Sequence, residues 1–321
     1  MEPLPKGANF VRAKMLWELG LHIAGNPLTP YGGNRDMCIT VGSGSGETFR
    51  PSLRLATGSA ILAHEVVKGG VDMAFVNPSA MLTQAYRGVG LFSEPLPVRI
   101  VGSFPSYDRF VIGVRKSLGL RSLADVKKDR YPLKISIRED PTHSTLVLIE
   151  QLFAYYGFTL ADLEAWGGTI QRIGGPGADG RLNGLRTGTI DAVFDEGIPA
   201  WLDLALGNGY VPLELDVDAF AHMTALGWRR VILPKSRFPQ LAADCACIDF
   251  SGWPLYTAAS LPDDVAYDVC GAFAARADQM VWEESTYTGI DQVFTETDAT
   301  PMDVPMHPGA IRWYEDHRGK L

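Results

Sequence analysis

The sequence contains no run of about 18 apolar residues, the minimum expected of a helix that crosses a bilayer. It also lacks any stretch rich in Lys and Arg, and its formal net charge is −8. Affinity for phosphate backbones requires clustered basic side chains. The sequence therefore predicts neither a membrane span nor a nucleic-acid partner.

Cysteine is scarce, with four residues in 321: Cys38, Cys245, Cys247 and Cys270. So few cysteines in a chain of this length argue against a disulfide framework. The pair Cys245 and Cys247 has no second Cys or His pair nearby to complete a zinc site. We expect free thiols in or near the core, and no metal, cofactor or catalytic residue.

A secretory signal pattern is missing from residues 1–33, which have neither a charged n-region nor a continuous apolar h-region. Residues 10–23 instead predict an amphipathic helix with Met15, Leu16 and Leu19 on one stripe. Two readings stay open: an export signal was never present, or it was removed.

Residues 42–48, which are rich in glycine and serine, match no nucleotide-binding or hydrolase motif. A dinucleotide fingerprint needs glycine where Glu47 stands, and a nucleophile elbow needs serine where Gly44 stands. The Gly-Lys-Ser/Thr of a phosphate-binding loop is absent as well. What remains is either a structural turn or a loop of backbone N–H groups and hydroxyls able to surround a small polar ligand.

Short β-rich runs alternate with helical segments, and the alternation restarts near residue 122. Alternation of this kind predicts parallel sheets, and two runs in 321 residues predict two α/β lobes. Ligands of open α/β sheets bind outside the carboxyl ends of strands. The expected site walls are therefore the loops at 42–48, 77–79, 103–107, 138–145 and 195–197.

Two of these loops carry charge or hydroxyl groups. Residues 142–145 open a helix, whose N-terminal N–H groups favour a carboxylate or phosphate, although their hydroxyls could serve only as caps. His143 has no Ser or Cys and Asp partner at a diagnostic spacing, which favours a capping or solvent-facing role. Asp195 and Glu196 could serve acid–base chemistry, receive an amine, or form a solvated loop. Adjacent residues of a strand point to opposite sides, so at most one of the two is expected to face a ligand easily.

Four stretches in order along the chain resemble the TAXI family, the solute-binding subunits of tripartite (TRAP-type) transporters. They are residues 39–49, residues 70–88, residues 100–125 and residues 304–314, the last with His307-Pro308-Gly309-Ala310 before an aromatic pair. The strand at 188–194 fits the family's Asp-Ala-x-aromatic pattern. The resemblance covers about residues 37–318.

The resemblance implies a two-lobed type II periplasmic-binding-protein fold with two α/β domains joined by a hinge. We expect an N-terminal extension (1–34), lobe I (35–114 plus 234–321) and lobe II (115–233). His307 and Pro308 would have a structural role. The cleft would be lined, position by position, by Ser43, Ser45, Thr48, Asn77, Ser79, Tyr107, Thr142, Ser144 and Thr145. Glu47, His143, Asp195 and Glu196 lie in the same loops and complete the predicted ligand-binding set.

The implied function is a non-enzymatic receptor that closes around a small carboxylate-bearing solute, such as an amino acid or dicarboxylate, for TRAP-type uptake. Its implied partners are the solute and the TRAP permease subunits, and its implied compartment is the periplasm. Charge at 138–145 and the acids at 195–196 depart from the family pattern, and the acids favour a solute that also carries an amine. The alternatives are an enzyme on the same fold, with His143 beside Asp140, Asp195 or Glu196, and a cytoplasmic ligand sensor without an export signal.

Overall fold

The computed structural model describes residues 8–25, 37–42, 52–58, 60–280, 282–283 and 286–319. Helices and strands alternate along most of this length. In chain order they are α1 (Ala8–Gly25), β1 (Met37–Gly42), β2 (Ser52–Thr57), α2 (Leu62–Lys68), β3 (Met73–Phe75), α3 (Ser79–Arg87), β4 (Val98–Phe104), β5 (Arg109–Arg115), α4 (Leu123–Asp129), β6 (Lys134–Arg138), α5 (Ser144–Tyr156), α6 (Leu160–Ala165), β7 (Thr169–Ile173), α7 (Asp179–Thr187), β8 (Ala192–Asp195), α8 (Leu202–Gly207), β9 (Tyr210–Pro212), α9 (Val217–Ala225), β10 (Arg230–Leu233), β11 (Cys245–Asp249), β12 (Trp253–Ala258), α10 (Asp263–Arg276) and α11 (Pro308–His317).

The strands form two sheets. Sheet I has the order β1-β2-β3-β12-β4, and sheet II has the order β10-β11-β5-β8-β6-β7 with β9 also paired to β5. In sheet II the strands β8, β6 and β7 are parallel, whereas β5 is antiparallel to both β8 and β11. We call sheet I with its helices lobe I, and sheet II with its helices lobe II.

The parallel strands of sheet II lie in the interior. Ile135 and Ile137 of β6 and Val193 and Phe194 of β8 are almost fully buried, as expected where helices cover both faces of a parallel sheet. The helices between these strands begin at defined caps. The side chain of Thr159 accepts from the N–H of Asp162 while Asp162 accepts in return, a capping box that fixes the start of α6.

Two segments connect the lobes. The chain leaves sheet I after Phe104 and enters sheet II at Arg109, and it returns between Asp249 and Trp253. These crossings hydrogen-bond to each other, since Phe250 N donates to Asp108 O (3.1 Å) and Gly252 N donates to Ser106 O (3.0 Å). Two α/β lobes joined in this way confirm the predicted fold class. Strands before the first crossing and after the second belong to sheet I, and the strands between the crossings belong to sheet II. The predicted lobe boundaries at 114 and 233 stay a prediction.

Three elements differ from what the sequence predicts. The pattern of residues 56–68 predicts a helix, but strand β2 takes Ala56 and Thr57 and pairs with β1 and β3, because sheet pairing outweighs local propensity. The sequence predicts no strand at β11, which contains Cys245 and Cys247. Residues 262–282 predict one long helix, but α10 ends at Arg276, and the indole N–H of Trp282 bonds to the carbonyl of Ala277 beyond that end (2.5 Å).

Helix α1 covers the predicted helix at 10–23. Its apolar side chains are exposed over much of its length, with Val11, Met15 and Leu16 each more than half accessible. In the described ranges of the chain, no helix combines the length and hydrophobicity that crossing a membrane requires.

Candidate functional site

One edge of sheet II gathers charged side chains from four strands. Because β5 is antiparallel to its neighbours, its first residue lies beside the carboxyl ends of β6, β8 and β11. Arg109, Arg138, Asp195 and Asp249 therefore share this edge, next to the crossings to lobe I. It is the edge at which α/β sheets bind ligands.

Arg138 and Arg181 hold the two acids at the end of β8. Arg138 Nε bonds to Asp195 Oδ1 at 2.9 Å, and Arg138 Nη2 also contacts Glu196 Oε1. Arg181, on α7, bonds to the other oxygen of Asp195 and donates from Nε to Ser136 Oγ at 3.0 Å. Burial raises the pKa of Asp195 despite both guanidinium groups, and burial lowers the pKa of Arg181.

Asp108 approaches the same cluster from the first crossing. The N–H of Gly197 donates to both of its carboxylate oxygens at 2.9 Å. Loss of hydration holds the pKa of Asp108 well above its usual range, and the hydrogen bond and repulsion from Glu196 act in the same direction. A proton retained on Asp108 allows two acids to lie close together here.

Arg109 ties the two crossings together. Its Nη1 bonds to Asp249 Oδ1 at 2.7 Å and also contacts Ser251 Oγ, and both Arg109 and Asp249 are almost fully buried. The ring of Tyr107 lies between two guanidinium groups, 3.9 Å from Arg109 Cζ and 3.6 Å from Arg237 Cζ. Arg109 therefore forms a buried ion pair.

Helix α5 begins at His143, whose Nδ1 accepts from the N–H of Thr145 at 3.2 Å. Its Nε2 lies 3.7 Å from Glu196 Oε1. The hydroxyl of Thr142 donates to Asp140 Oδ1 at 2.7 Å, within the preceding loop. Ser144 Oγ donates to the carbonyl of Asn77 at 2.7 Å, so the start of α5 touches lobe I directly before α3.

The predicted ligand-binding residues have different surroundings. Ser43, Ser45, Glu47 and Thr48 lie outside the described residues. The structure brings Asn77 and Ser79 together with Ser144 across the lobes, since Ser79 directly follows the Asn77–Pro78 bond, and it brings His143 together with Glu196. Thr145 is fully buried, and its hydroxyl has no hydrogen-bond partner among the described residues. As ligand contacts, all of these residues stay predictions.

The acids at 195–196 behave differently from the strand pattern. They were expected to point to opposite sides, yet both reach Arg138 because Glu196 follows the last residue of β8, where the extended pleat ends. Their partners Arg138, Arg181 and Asp108 were not among the predicted site residues. Arg138 and Asp108 carried one usable signal, charge at a strand end, whereas Arg181 sits inside a helix and carried none.

A small apolar pocket lies elsewhere in sheet II, where β9 and β11 diverge from β5. It is lined by Phe110, Val111, Ile112, Pro212, Leu213, Leu215, Cys245, Ala246, Cys247 and Ile248. No charged side chain lines this pocket. The edge of sheet II that carries Arg109, Arg138, Asp195 and Asp249 is therefore the better candidate for the functional site. In the portion of the chain that the structure covers, no group of three or more His, Cys, Asp or Glu could hold a metal ion.

Several solved structures resemble this chain at low identity. One is a putative periplasmic sulfonate-binding protein of an ABC transporter from Methylobacillus flagellatus KT, at 12% identity and a TM-score of 0.36, covering 79% of this chain and 61% of that one. A chloride-bound protein from Xanthomonas citri matches at 11% identity and 0.40, covering 80% of both chains. A TctC solute-binding protein from Polaromonas matches at 14% and 0.33, covering 69% and 70%.

The sequence itself gives the family. The sequence model of the NMT1-like family matches residues 52–317, which run from β2 to the end of α11 and include both lobes, both crossings and the charged edge of sheet II. The match covers more than half of the chain, and the chain therefore belongs to the NMT1-like family.

Proposed function

We propose that this protein is the solute-binding receptor of a TRAP-type transporter and that it closes around a small carboxylate-bearing solute in the periplasm. The proposal is supported above all by one observation. Helices α3 and α5, from different lobes, begin at the same place, where Ser144 Oγ donates to Asn77 O at 2.7 Å.

Two helix N-termini at one point favour an anion. The first N–H groups of a helix have no partner within the helix, and the helix dipole adds partial positive charge there. Arg138 and Arg181 are already paired with acids, so the helix N-termini are the better candidates to receive a carboxylate. Glu196 lies 3.7 Å from His143 and could receive an amine, which favours an amino-acid-like solute.

The receptor role requires no reacting group. His143 uses Nδ1 as a helix cap, and its Nε2 faces a carboxylate that Arg138 already holds. A solute that contacts both lobes would stabilise the closed arrangement, and the permease subunits would recognise that form. We therefore propose binding without turnover.

A thermal-shift screen tests the proposal. We expect amino acids or dicarboxylates to raise Tm, and the corresponding amides, which lack the carboxylate charge, to raise it less. Ligand at 100 times its Kd stabilises the fold by about 2.7 kcal/mol. If no member of either class shifts Tm, the proposed solute class is wrong.

Ser144→Asp separates binding from folding. A carboxylate in the first turn of α5 is compatible with the helix dipole, but it would repel a solute carboxylate at the same place. We expect a stable protein that no longer responds to the solute. The matched control is Ala161→Asp, which places a carboxylate in the first turn of α6 in the same lobe, at an exposed position, and it should keep the response.

A further inference from the structure

A line of direct contacts joins the two lobes alongside the candidate site. Helices α3 and α5 touch where both begin, at Asn77 and Ser144, and again seven residues further along each, at Gln84 and Gln151. Equal spacing on both sides means that the helices run in the same direction, side by side, for about two turns.

The middle of this line is buried. Gln84 is fully inaccessible, and its amide exchanges hydrogen bonds with that of Gln151, at 3.3 and 3.5 Å. The indole N–H of Trp228 also donates to Gln151 Oε1, at 2.7 Å. The neighbouring Gly227 packs so closely on lobe I that a Cβ there would lie 3.2 Å from Gln84 Cγ.

Ionic contacts extend the line towards the crossings. Arg229, in lobe II, bonds through Nε to Asp303 Oδ2 at 3.0 Å and through Nη2 to Glu296, and both acids belong to lobe I. Apolar side chains back these polar contacts. Met81 and Leu82 of α3 and Trp228 belong to one continuous buried cluster that spans both sheets.

We propose that these contacts, which we call the lobe seam, hold the lobes closed before any solute binds. The lobe seam comprises Asn77, Gln84, Glu296 and Asp303 on lobe I, and Ser144, Gln151, Gly227 and Arg229 on lobe II. Opening it would expose Trp228 and the apolar faces beside it to water, which is unfavourable. The resting receptor is thus closed and admits its solute during brief openings. The inference rests on the proposed receptor function for its meaning, but its test requires no solute.

The distance between the lobes can be measured by pulsed electron paramagnetic resonance with one spin label on each lobe. Ile61→Cys in lobe I and Val217→Cys in lobe II provide attachment sites, since these side chains are 63% and 83% exposed. Exposed Cys38 is replaced by serine. The three remaining thiols are buried, and burial raises the pKa of Cys245 to about 11 and that of Cys270 to about 12, which slows their labelling.

The seam variant combines Ser144→Ala, Gln151→Ala and Arg229→Gln. The matched control combines Thr187→Ala, Gln171→Ala and Arg121→Gln, whose side chains bond to Asn183, Gly180 and Asp125, all within lobe II. Without solute we expect one narrow, short distance for the parent and the control. The seam variant should give a broad distribution extending to longer distances.

A long or broad distribution in the solute-free parent would overturn the inference, and so would a seam variant that matches the control. Circular dichroism verifies folding of each variant. If the triple variant does not fold, Ser144→Ala and Arg229→Gln are measured singly, since each removes a hydrogen bond or ion pair between the lobes. Each should broaden the distribution. If no solute raises Tm but the distance measurement shows closed lobes, the proposed solute class is wrong and the closed resting state is retained.

Discussion

The buried charges at the edge of sheet II hold one another in place. Arg181 is fully buried and neutralises one oxygen of Asp195, while Arg138 neutralises the other. Removing one member of such a group leaves a buried charge without compensation, and this costs about 3–5 kcal/mol. Arg138 and Arg181 therefore stabilise the edge of sheet II at which the candidate site lies.

Arg181→Met should lower the free energy of unfolding by about 3–5 kcal/mol, measured by chemical denaturation at neutral pH. Arg186→Met changes an exposed arginine on the same helix and should stay within about 0.5 kcal/mol of the parent. Adding Asp195→Asn to Arg181→Met should recover part of the loss, because it removes the unpaired carboxylate. Equal effects of the two single variants would contradict this role.

Asp108 should make stability depend on pH in the opposite sense to an ordinary paired carboxylate. Its pKa is raised in the folded state, so the folded protein keeps a proton that the unfolded chain loses first. The resulting stabilisation is complete below the unfolded pKa, near 4, and is lost as pH rises through the folded pKa. Asp108→Asn resembles the protonated form.

We therefore expect Asp108→Asn to gain stability relative to the parent as pH rises from 4 to 8. Urea denaturation at several pH values measures the difference between the two proteins. A constant difference across this range would show that Asp108 does not hold the proton.

At the scale of single residues, the sequence indicated which loops would hold charged side chains but not which side chains would form ion pairs. Asp195 and Glu196 stood out because they end a strand. Their partner Arg138 lies 57 residues earlier in the chain, on the neighbouring strand β6. That pairing depends on the order of strands in the sheet, which local sequence does not encode.

Among the elements, α11 shows how a short motif determines a helix start. His307 Nδ1 accepts from the N–H of Gly309 at 3.2 Å, and Pro308 occupies the first helical position. Gly309 has no room for a side chain, because a Cβ there would lie 1.9 Å from the carbonyl oxygen of Asp263. The structure thus explains the structural role expected for His307 and Pro308.

His307 should contribute to acid sensitivity. Burial lowers its pKa below the usual 6.5, although Asp263, 3.7 Å away, acts in the other direction. The unfolded chain therefore takes up a proton first, and stability falls as pH drops below about 6.5. His307→Asn keeps a capping side chain and removes this proton uptake.

We expect the parent to lose more stability than His307→Asn between pH 7 and pH 5 in equilibrium denaturation. The gap should stay constant above pH 7, where the imidazole is neutral in both states. Parallel pH profiles for the two proteins would exclude this contribution.

Elements with a clear pattern were predictable, and those set by pairing were not. Apolar periodicity and flanking turn residues predict a helix near 217–225 and a strand at 169–173, and α9 and β7 have these bounds. Strands β2 and β11 were missed because their neighbours in the sheets, rather than their own composition, make them strands.

For the whole molecule, the alternation of strands and helices predicted two α/β lobes, and the match to the NMT1-like family spans both. The sheets are nevertheless mixed rather than parallel; in sheet II, β5 runs antiparallel to both β8 and β11. Strands β5 and β11 are those through which the chain enters and leaves lobe II. Their direction follows from the two crossings, a property of the complete path of the chain that no single segment reveals.

The crossings also determine how the lobes can move. Phe250, Gly252 and Ser251 bond to the opposite crossing, and Arg109 joins its own strand to Asp249. Two separate tethers would let one lobe twist and slide over the other. Because the two crossings are hydrogen-bonded to each other, they resist twisting and sliding and bend together. Opening of the lobes is therefore expected to be a rotation about one axis. Each opening would separate the starts of α3 and α5 along the same path. Each closing would restore the same contact between them.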